Sequence, residues 1–168
     1  MNSKLISEWS ENAKAQKEEN KAFLKTLLPV PKEEIYAELL KAHSEVFAII
    51  DCLKCANCCR TTPAIVTKSD VNRLAKHFNQ SPKQFIRQNV LTDINGDMVF
   101  NGVPCRFLND DNTCAVYNIR PESCRRYPHT DEADFGSRPS LNLANTIVCP
   151  AAYHIVNKLK SQYLSNDI

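Results

Sequence analysis

Cys52-Leu53-Lys54-Cys55-Ala56-Asn57-Cys58-Cys59 crowds four thiols into eight residues. Thiolates that close repel one another unless a cation lies between them. Zinc, ferrous iron or an iron–sulfur cluster supplies such a cation, and coordination keeps the sulfurs deprotonated at neutral pH. The two-residue spacing lets a tight turn aim successive sulfurs at one centre. A chain of 168 residues buries roughly 70% of its unfolded surface, so as one domain it needs no staples to hold a core. The thiols therefore have another task. The alternative, cysteine as a small buried hydrophobe, suits the isolated Cys149 better than the crowded four.

Working outward, Cys105, Cys114, Cys124 and Cys149 complete a set of eight cysteines. Eight thiolates divide naturally into two sites of four. Side chains of adjacent residues diverge, which sends Cys58 and Cys59 to different ions. One division gives Cys52, Cys55, Cys58 and Cys149 to the first site and Cys59, Cys105, Cys114 and Cys124 to the second. The first set echoes the C-x2-C-x2-C plus remote Cys-Pro pattern of bacterial ferredoxins, since Pro150 follows Cys149. A single four-cysteine site with spare thiols is the other arrangement.

The flanks read as helices. Residues 4–28 carry Leu5, Trp9, Ala13, Phe23, Leu24, Leu27 and Leu28 among many Lys and Glu. This predicts one helix with a solvated middle, on which Trp9 packs against the domain. Pro29 and Pro31 end it. Over residues 32–50, Ile35, Leu39, Val46 and Ile49 or Ile50 recur at helical spacing and deliver the chain to Cys52. Beyond the cluster, residues 64–67 read as extended, and Ser69 as the N-cap of a helix through His77. Ser81-Pro82-Lys83-Gln84 is a capping box that opens a helix to about Asn89. Asn95-Gly96 marks a hairpin. Residues 105–119 read as loop and short strand, a brief helix from Arg120-Pro121-Glu122 holds Cys124, and residues 129–141 form a polar loop. Pro150 opens a terminal helix to about Leu164, with Ala152, Ile155, Val156 and Leu159 inward. The predicted fold class is α+β. We expect a small irregular, predominantly helical domain over residues 31–168, organised around a cysteine metal centre, with an N-terminal helical extension over residues 1–30.

The cysteine segment, followed by Arg60, resembles the bacterial cysteine-cluster (CxxCxxCC) family of zinc- or iron-chelating domains. The downstream matches are Cys105-Arg106-Phe107-Leu108, Cys114-Ala115-Val116-Tyr117 and Arg120-Pro121-Glu122-Ser123-Cys124-Arg125, closed by Pro128. The resemblance spans roughly residues 48–150 and implies metal binding without a settled reaction. Family members commonly carry Gly where Ala56 stands and often Pro where Arg106 stands; the alanine speaks against a left-handed turn there. A related cysteine-rich segment occurs in flagellin lysine methylases. This chain has only Gly96, Gly102 and Gly136, so it offers no glycine-rich loop for a methyl donor or nucleotide.

Arg60, Arg106, Arg120, Arg125 and Arg126 all lie close to a cysteine in sequence. Guanidinium groups there would offset the net negative charge of a tetrathiolate centre and donate hydrogen bonds to sulfur. The four histidines share no ligand spacing, and His129 alone lies near a cysteine motif. Tyr117 and Tyr127 are expected in the core, and Phe107, Leu108 and Val116 as a dry shell around the centre. All-sulfur ligation suits zinc and iron–sulfur alike. Three thiols at x2, x2 spacing fit three corners of a [4Fe–4S] cubane and favour the cluster. A formal charge of +2 is near balance and says nothing of nucleic acid or membranes, but the basic residues form no stripe with aromatics, so no nucleic acid is expected as a partner. No run approaches the ~20 apolar residues of a membrane span. The polar N-terminus carries no signal-peptide core, which points to a reducing cytoplasm where cysteines are ligands or redox groups rather than disulfides. The expected activity is metal binding in redox chemistry or metal handling, with a structural zinc module or an accessory part of a methyltransferase as alternatives. Residues 1–30 are the candidate docking element for a protein partner.

Overall fold

Helices short of ~12 residues hold together through what their apolar faces pack against, and the N-terminal segment shows it. A computed structural model of the chain describes residues 4–166. The single helix expected over residues 4–28 is three: α1 (Lys4–Ser7), α2 (Trp9–Ala15) and α3 (Lys17–Thr26). The second break falls at Gln16, whose side-chain oxygen accepts the Tyr153 hydroxyl at 3.0 Å. α2 buries Trp9 and Ala13 and α3 buries Phe23 and Leu24, so each piece follows its own packing direction.

Two compact units follow. The first joins Met1–Asp51 to Pro128–Ile168. It contains α1 to α3 with α4 (Lys32–Phe47), α10 (Pro139–Val148) and α11 (Pro150–Asn166). α11 packs on α4, α10 and α3. Its inward residues Ala152, Ile155, Val156 and Leu159 are all buried, as their spacing predicts. Ile35, Leu39, Ala42 and Val46 answer them from α4. A 3-10 turn at Phe135–Ser137 lies against α4 so closely that a Cβ on Gly136 would stand 2.4 Å from Ile35 Cδ1. Lys160, buried, is satisfied by Asn20 Oδ1 at 2.9 Å and the Glu19 carboxylate at 3.0 Å.

α10 is absent from the sequence reading, and its composition explains why. Its buried face is polar: Asn142, Asn145 and Thr146. The side-chain amide of Asn142 donates to Phe135 O at 2.7 Å and that of Asn145 to Pro128 O at 3.0 Å. The helix buries amides because they satisfy the carbonyls of the loop beneath it, so it carries no apolar periodicity. Its last turn leaves the Thr146 carbonyl without a helical donor, because the residue four along is Pro150, which has no N–H. The indole Nε1 of Trp9 donates there at 2.9 Å.

The second unit is Cys52–Tyr127. It holds the short helices α5 (Cys52–Cys55), α6 (Asn57–Thr61), α7 (Lys68–His77), α8 (Pro82–Asn89) and α9 (Glu122–Arg126), and one hairpin, β1 (Val90–Thr92) with β2 (Met98–Phe100). Val90 pairs with Phe100, Leu91 with Val99 and Thr92 with Met98. The turn at Asn95-Gly96 is closed by Asp93 and Asp97 backbone bonds and by the Asp93 carboxylate, which accepts from the N–H groups of Asn95 and Asp97. Residues 64–66 lie extended beside β2, with Val66 N to Met98 O at 2.8 Å and Phe100 N to Ala64 O at 2.9 Å. The core gathers Val71, Leu74, Phe85, Phe100, Phe107 and Val116. Phe85 and Phe107 stack with parallel rings 6.5 Å apart. The Ser81–Gln84 capping box forms as expected. α7 is capped by Thr67 rather than Ser69, because Asp70 three residues on completes a reciprocal box with it. Mostly helical with one two-stranded sheet, the chain is α+β as predicted.

Replacing Trp9 with Ala removes a buried indole and strips the Thr146 carbonyl of its donor. Trp9→Ala should cost about 3–5 kcal/mol in denaturant melts, and Trp9→Phe, which loses the N–H but keeps a ring, about 1–2 kcal/mol.

Candidate metal centre

The CxxCxxCC segment is two short helices joined at one residue. α5 spans Cys52–Cys55, α6 spans Asn57–Thr61, and Ala56 between them sits at φ 49°, ψ 16°. The left-handed turn that an alanine speaks against is formed, and Ala56 is buried in it. Ala56 N donates to Cys52 O at 2.9 Å and Arg60 N to Ala56 O at 3.2 Å, so the reversal is stitched on both sides. It redirects the chain between Cys55 and the adjacent pair Cys58 and Cys59.

Backbone pairing then brings the downstream cysteines in. Cys105 N donates to Cys59 O at 2.7 Å, and Leu108 and Cys114 form an isolated antiparallel bridge. α9 supplies Cys124. Phe107 and Val116 are buried beside these residues, as expected of a dry shell, while Leu108 is half-buried. Cys52 is exposed, the other six cysteines of this unit are half-buried, and none is in a disulfide. Cys149 belongs to the first unit, where it is buried at the C-cap of α10.

The thiols act on one another electrostatically. Burial pushes the Cys124 thiol up to about 12, and the charges of Cys59, Cys105 and Cys114 add to the rise against a hydrogen bond from Ser123. Burial likewise raises Cys105, helped by Cys59 and Cys114 and opposed by the Phe107 N–H and Arg106. Cys114 is raised by burial and by Cys59, against the Val116 N–H and Arg120. Cys55 is raised by burial, with the Asn57 N–H and Arg60 opposing. Cys59 moves down, to about 7, because Cys58 donates a hydrogen bond to its sulfur and Arg60 lies near, which outweighs burial; the sulfurs of this adjacent pair lie together rather than diverging as expected. The charge of Cys59 thus acts on Cys105, Cys114 and Cys124, which come from other parts of the sequence, and also on Cys55 nearby. Among the described residues, no three His, Cys, Asp or Glu side chains are placed as a closed ligand set. As donors, these soft thiols suit zinc or iron, and the charge of Cys59 favours protons on Cys105, Cys114 and Cys124 until a cation replaces them.

The arginines do two things here. Residues 52–127 carry eleven Lys and Arg against six Asp and Glu, an excess of positive charge where thiolates gather. Arg60, Arg106 and Arg120 each favour a neighbouring thiolate, in line with the charge-offsetting role expected of them. Their hydrogen bonds, however, go to backbone carbonyls. Arg60 donates to Cys55 O at 3.1 Å and also to the Asn112 side chain, which in turn donates to Lys54 O at 3.2 Å. Arg106 reaches Gln88 O at 2.7 Å; Arg125 reaches Arg120 O and Asn118 O, both at 3.1 Å. Arg120 donates to Tyr117 O and lies 3.9 Å from the centre of the Tyr117 ring, so that tyrosine is an exposed platform rather than the core residue expected. His129 falls in the first unit, where its Nδ1 lies 2.8 Å from the Glu132 carboxylate.

Two residues of this unit carry no cysteine-motif signal and still organise it. Asn112, at φ 71°, ties the loop before Cys114 to the α5–α6 turn through Arg60 and Lys54. Asp70, buried in the first turn of α7, accepts the Glu122 N–H at 3.2 Å at the start of α9. A capping aspartate is visible in sequence, but its reach to a segment some fifty residues away is not.

Comparison with protein families matches residues 51–141 to the CxxCxxCC model, described as a "Putative zinc- or iron-chelating domain". That is more than half of the chain, which belongs to this family. No curated protein and no solved structure matches it.

A left-handed alanine costs roughly 1–2 kcal/mol over a right-handed one, and glycine removes that strain at about 0.5–1 kcal/mol of unfolded-state entropy. Ala56→Gly should therefore stabilise the protein by about 0.5–1 kcal/mol in denaturant melts. Since the methyl of Ala56 is buried, only a variant destabilised by more than the roughly 0.8 kcal/mol that this methyl contributes would show that the turn at Ala56 is not left-handed.

Proposed function

We propose that this member of the CxxCxxCC family binds its metal through the thiolates of residues 52–127 and acts in cytoplasmic redox chemistry or metal handling. In this reading Cys59, Cys105, Cys114 and Cys124 share one site, and Cys52, Cys55 and Cys58 supply a second group of ligands. The observation that carries it is that the backbone brings Cys105 onto Cys59, with Cys105 N donating to Cys59 O at 2.7 Å, and that the charge of Cys59 raises the proton affinity of Cys105, Cys114 and Cys124. A tetrathiolate ion is the simplest partner that relieves such a set. The x2, x2 spacing of Cys52, Cys55 and Cys58 favours an iron–sulfur cluster over zinc for that group. A protein partner would meet the outward, charged faces of α2 and α3, because Trp9, Ala13, Phe23 and Leu24 are occupied in the core of their own unit.

Anaerobic purification followed by elemental analysis and absorbance tests this reading. We expect one or two near-integral equivalents of iron or zinc per chain, and a brown protein that dithionite bleaches if the metal is an iron–sulfur cluster. Less than about a tenth of an equivalent, with no reconstitution, overturns the reading. A colourless protein holding zinc overturns the redox role and favours a structural module. Tetrathiolate zinc contributes ~10–16 kcal/mol of apparent binding energy against a domain stability of ~5–15 kcal/mol. Cys59→Ser and Cys124→Ser should each lower metal content and folded yield together, and full metal with normal melting in both removes the shared site.

A further inference from the structure

Among the four coupled thiols, Cys124 is held differently. Cys59 and Cys105 belong to segments joined by a backbone hydrogen bond, and Cys114 pairs with Leu108, three residues from Cys105. α9, which carries Cys124, is fastened instead to α7. The Asp70 carboxylate accepts from Thr67 N at 2.9 Å, Thr67 Oγ1 at 2.7 Å, Arg73 Nη2 at 2.5 Å and Glu122 N at 3.2 Å. Arg73 extends the hold to the approach of α9, donating to Ile119 O at 3.2 Å and Arg120 O at 2.9 Å. One further tie, from the Ser123 hydroxyl to Ile65 O at 2.7 Å, joins α9 to the extended segment beside β2. We infer that Asp70 and Arg73 are positioning residues of the metal centre, which set where Cys124 stands relative to Cys59, Cys105 and Cys114.

The inference rests on the shared four-thiolate site proposed above. Its physical basis is that Asp70 is a buried carboxylate with its acceptor sites filled, fixed on a helix whose other residues, Val71, Leu74 and Ala75, lie in the core of the unit. Burial alone would raise its carboxyl, and the bonds from Thr67, Arg73 and Glu122 outweigh burial and hold it below the usual range. The carboxylate is therefore a rigid bracket, charged at neutral pH. A ligand on a five-residue helix with no sheet partner takes its position from such a bracket. Outer-shell partners of this kind change metal affinity by about 10–100-fold when removed.

Cobalt(II) reports thiolate number, since the intensity of the sulfur-to-cobalt charge-transfer band per bound ion follows the count of coordinated sulfurs. Full-length wild type, Asp70→Ala, Arg73→Met, Cys124→Ser, Thr67→Ala and the Asp70→Ala/Cys124→Ser double variant are titrated anaerobically with cobalt(II). We expect Asp70→Ala and Arg73→Met to lower the per-cobalt intensity toward that of Cys124→Ser and to weaken binding about 10–100-fold. The double variant should be no weaker than Cys124→Ser, because both changes remove one ligand. Thr67→Ala loses the cap but leaves the Asp70–Glu122 and Arg73 ties, so it should melt lower at unchanged intensity. If Asp70→Ala does not fold, Arg73→Met decides the comparison, since its aliphatic stem is retained. Wild-type intensity in Arg73→Met or Asp70→Ala, or additive losses in the double variant, overturns the positioning role. A wild-type protein with no thiolate–cobalt band, or Cys124→Ser with an unchanged one, overturns the four-thiolate site and this inference with it.

Discussion

Half-buried thiols that share one another's field are the constraint around which residues 52–127 are arranged. Burial raises Cys55, Cys105, Cys114 and Cys124, and the charge of Cys59 adds to each rise. Such a set is content in only two conditions, fully protonated or bound to a cation. The surroundings favour the second. Arg60, Arg106 and Arg120 bias neighbouring sulfurs toward the thiolate, and backbone N–H groups from Asn57, Phe107 and Val116 do the same. Arrangements of this kind, donors aimed at sulfur and cations around it, are what a zinc- or iron-chelating family requires of its scaffold.

The same unit has little regular structure with which to hold those sulfurs. Its sheet is two strands of three residues, and the segments between elements must satisfy their carbonyls in other ways. Side chains take over the task. Arg60, Arg73, Arg106, Arg120 and Arg125 donate to backbone carbonyls, and Asn112 and Ser123 add single ties. A guanidinium group suits this work because its fixed fork reaches two carbonyls at once and never loses its charge. The arginines near the cysteines thus join loop geometry to charge balance.

The sequence showed the centre's composition better than its geometry. Period-3.6 patterns located α4 and α11, and local cap and turn chemistry located α7, α8 and the hairpin, because each is decided by residues within one or two turns. α10 escaped since its buried face is Asn142, Asn145 and Thr146, which are interior only by virtue of carbonyls supplied elsewhere. The N-terminal run was read as one helix because the hydroxyl of Tyr153 that fastens Gln16 lies 137 residues away. At Ala56 the absence of glycine argued against a turn that the surrounding backbone bonds nevertheless make. The motif carries seven of the eight cysteines, and the fold sets those seven in one unit and the isolated Cys149 in the other.

That division changes the physical argument about the cysteines. Taken as a single 168-residue domain, the chain has ample core, and its thiols look superfluous to folding. Taken as units, Cys52–Tyr127 is a segment of fewer than 80 residues whose core centres on nine buried residues between Val66 and Val116. Below ~70–80 residues one core rarely supplies more than ~3–5 kcal/mol, and small scaffolds of this kind add disulfides or a structural metal. None of the cysteines here is in a disulfide, and a tetrathiolate ion of the kind proposed, at ~10–16 kcal/mol, would exceed what that core can contribute. With the proposed four-thiolate site filled, binding and folding of this unit would be one equilibrium, and the ties from Asp70 and Arg73 would keep Cys124 in reach of the ion.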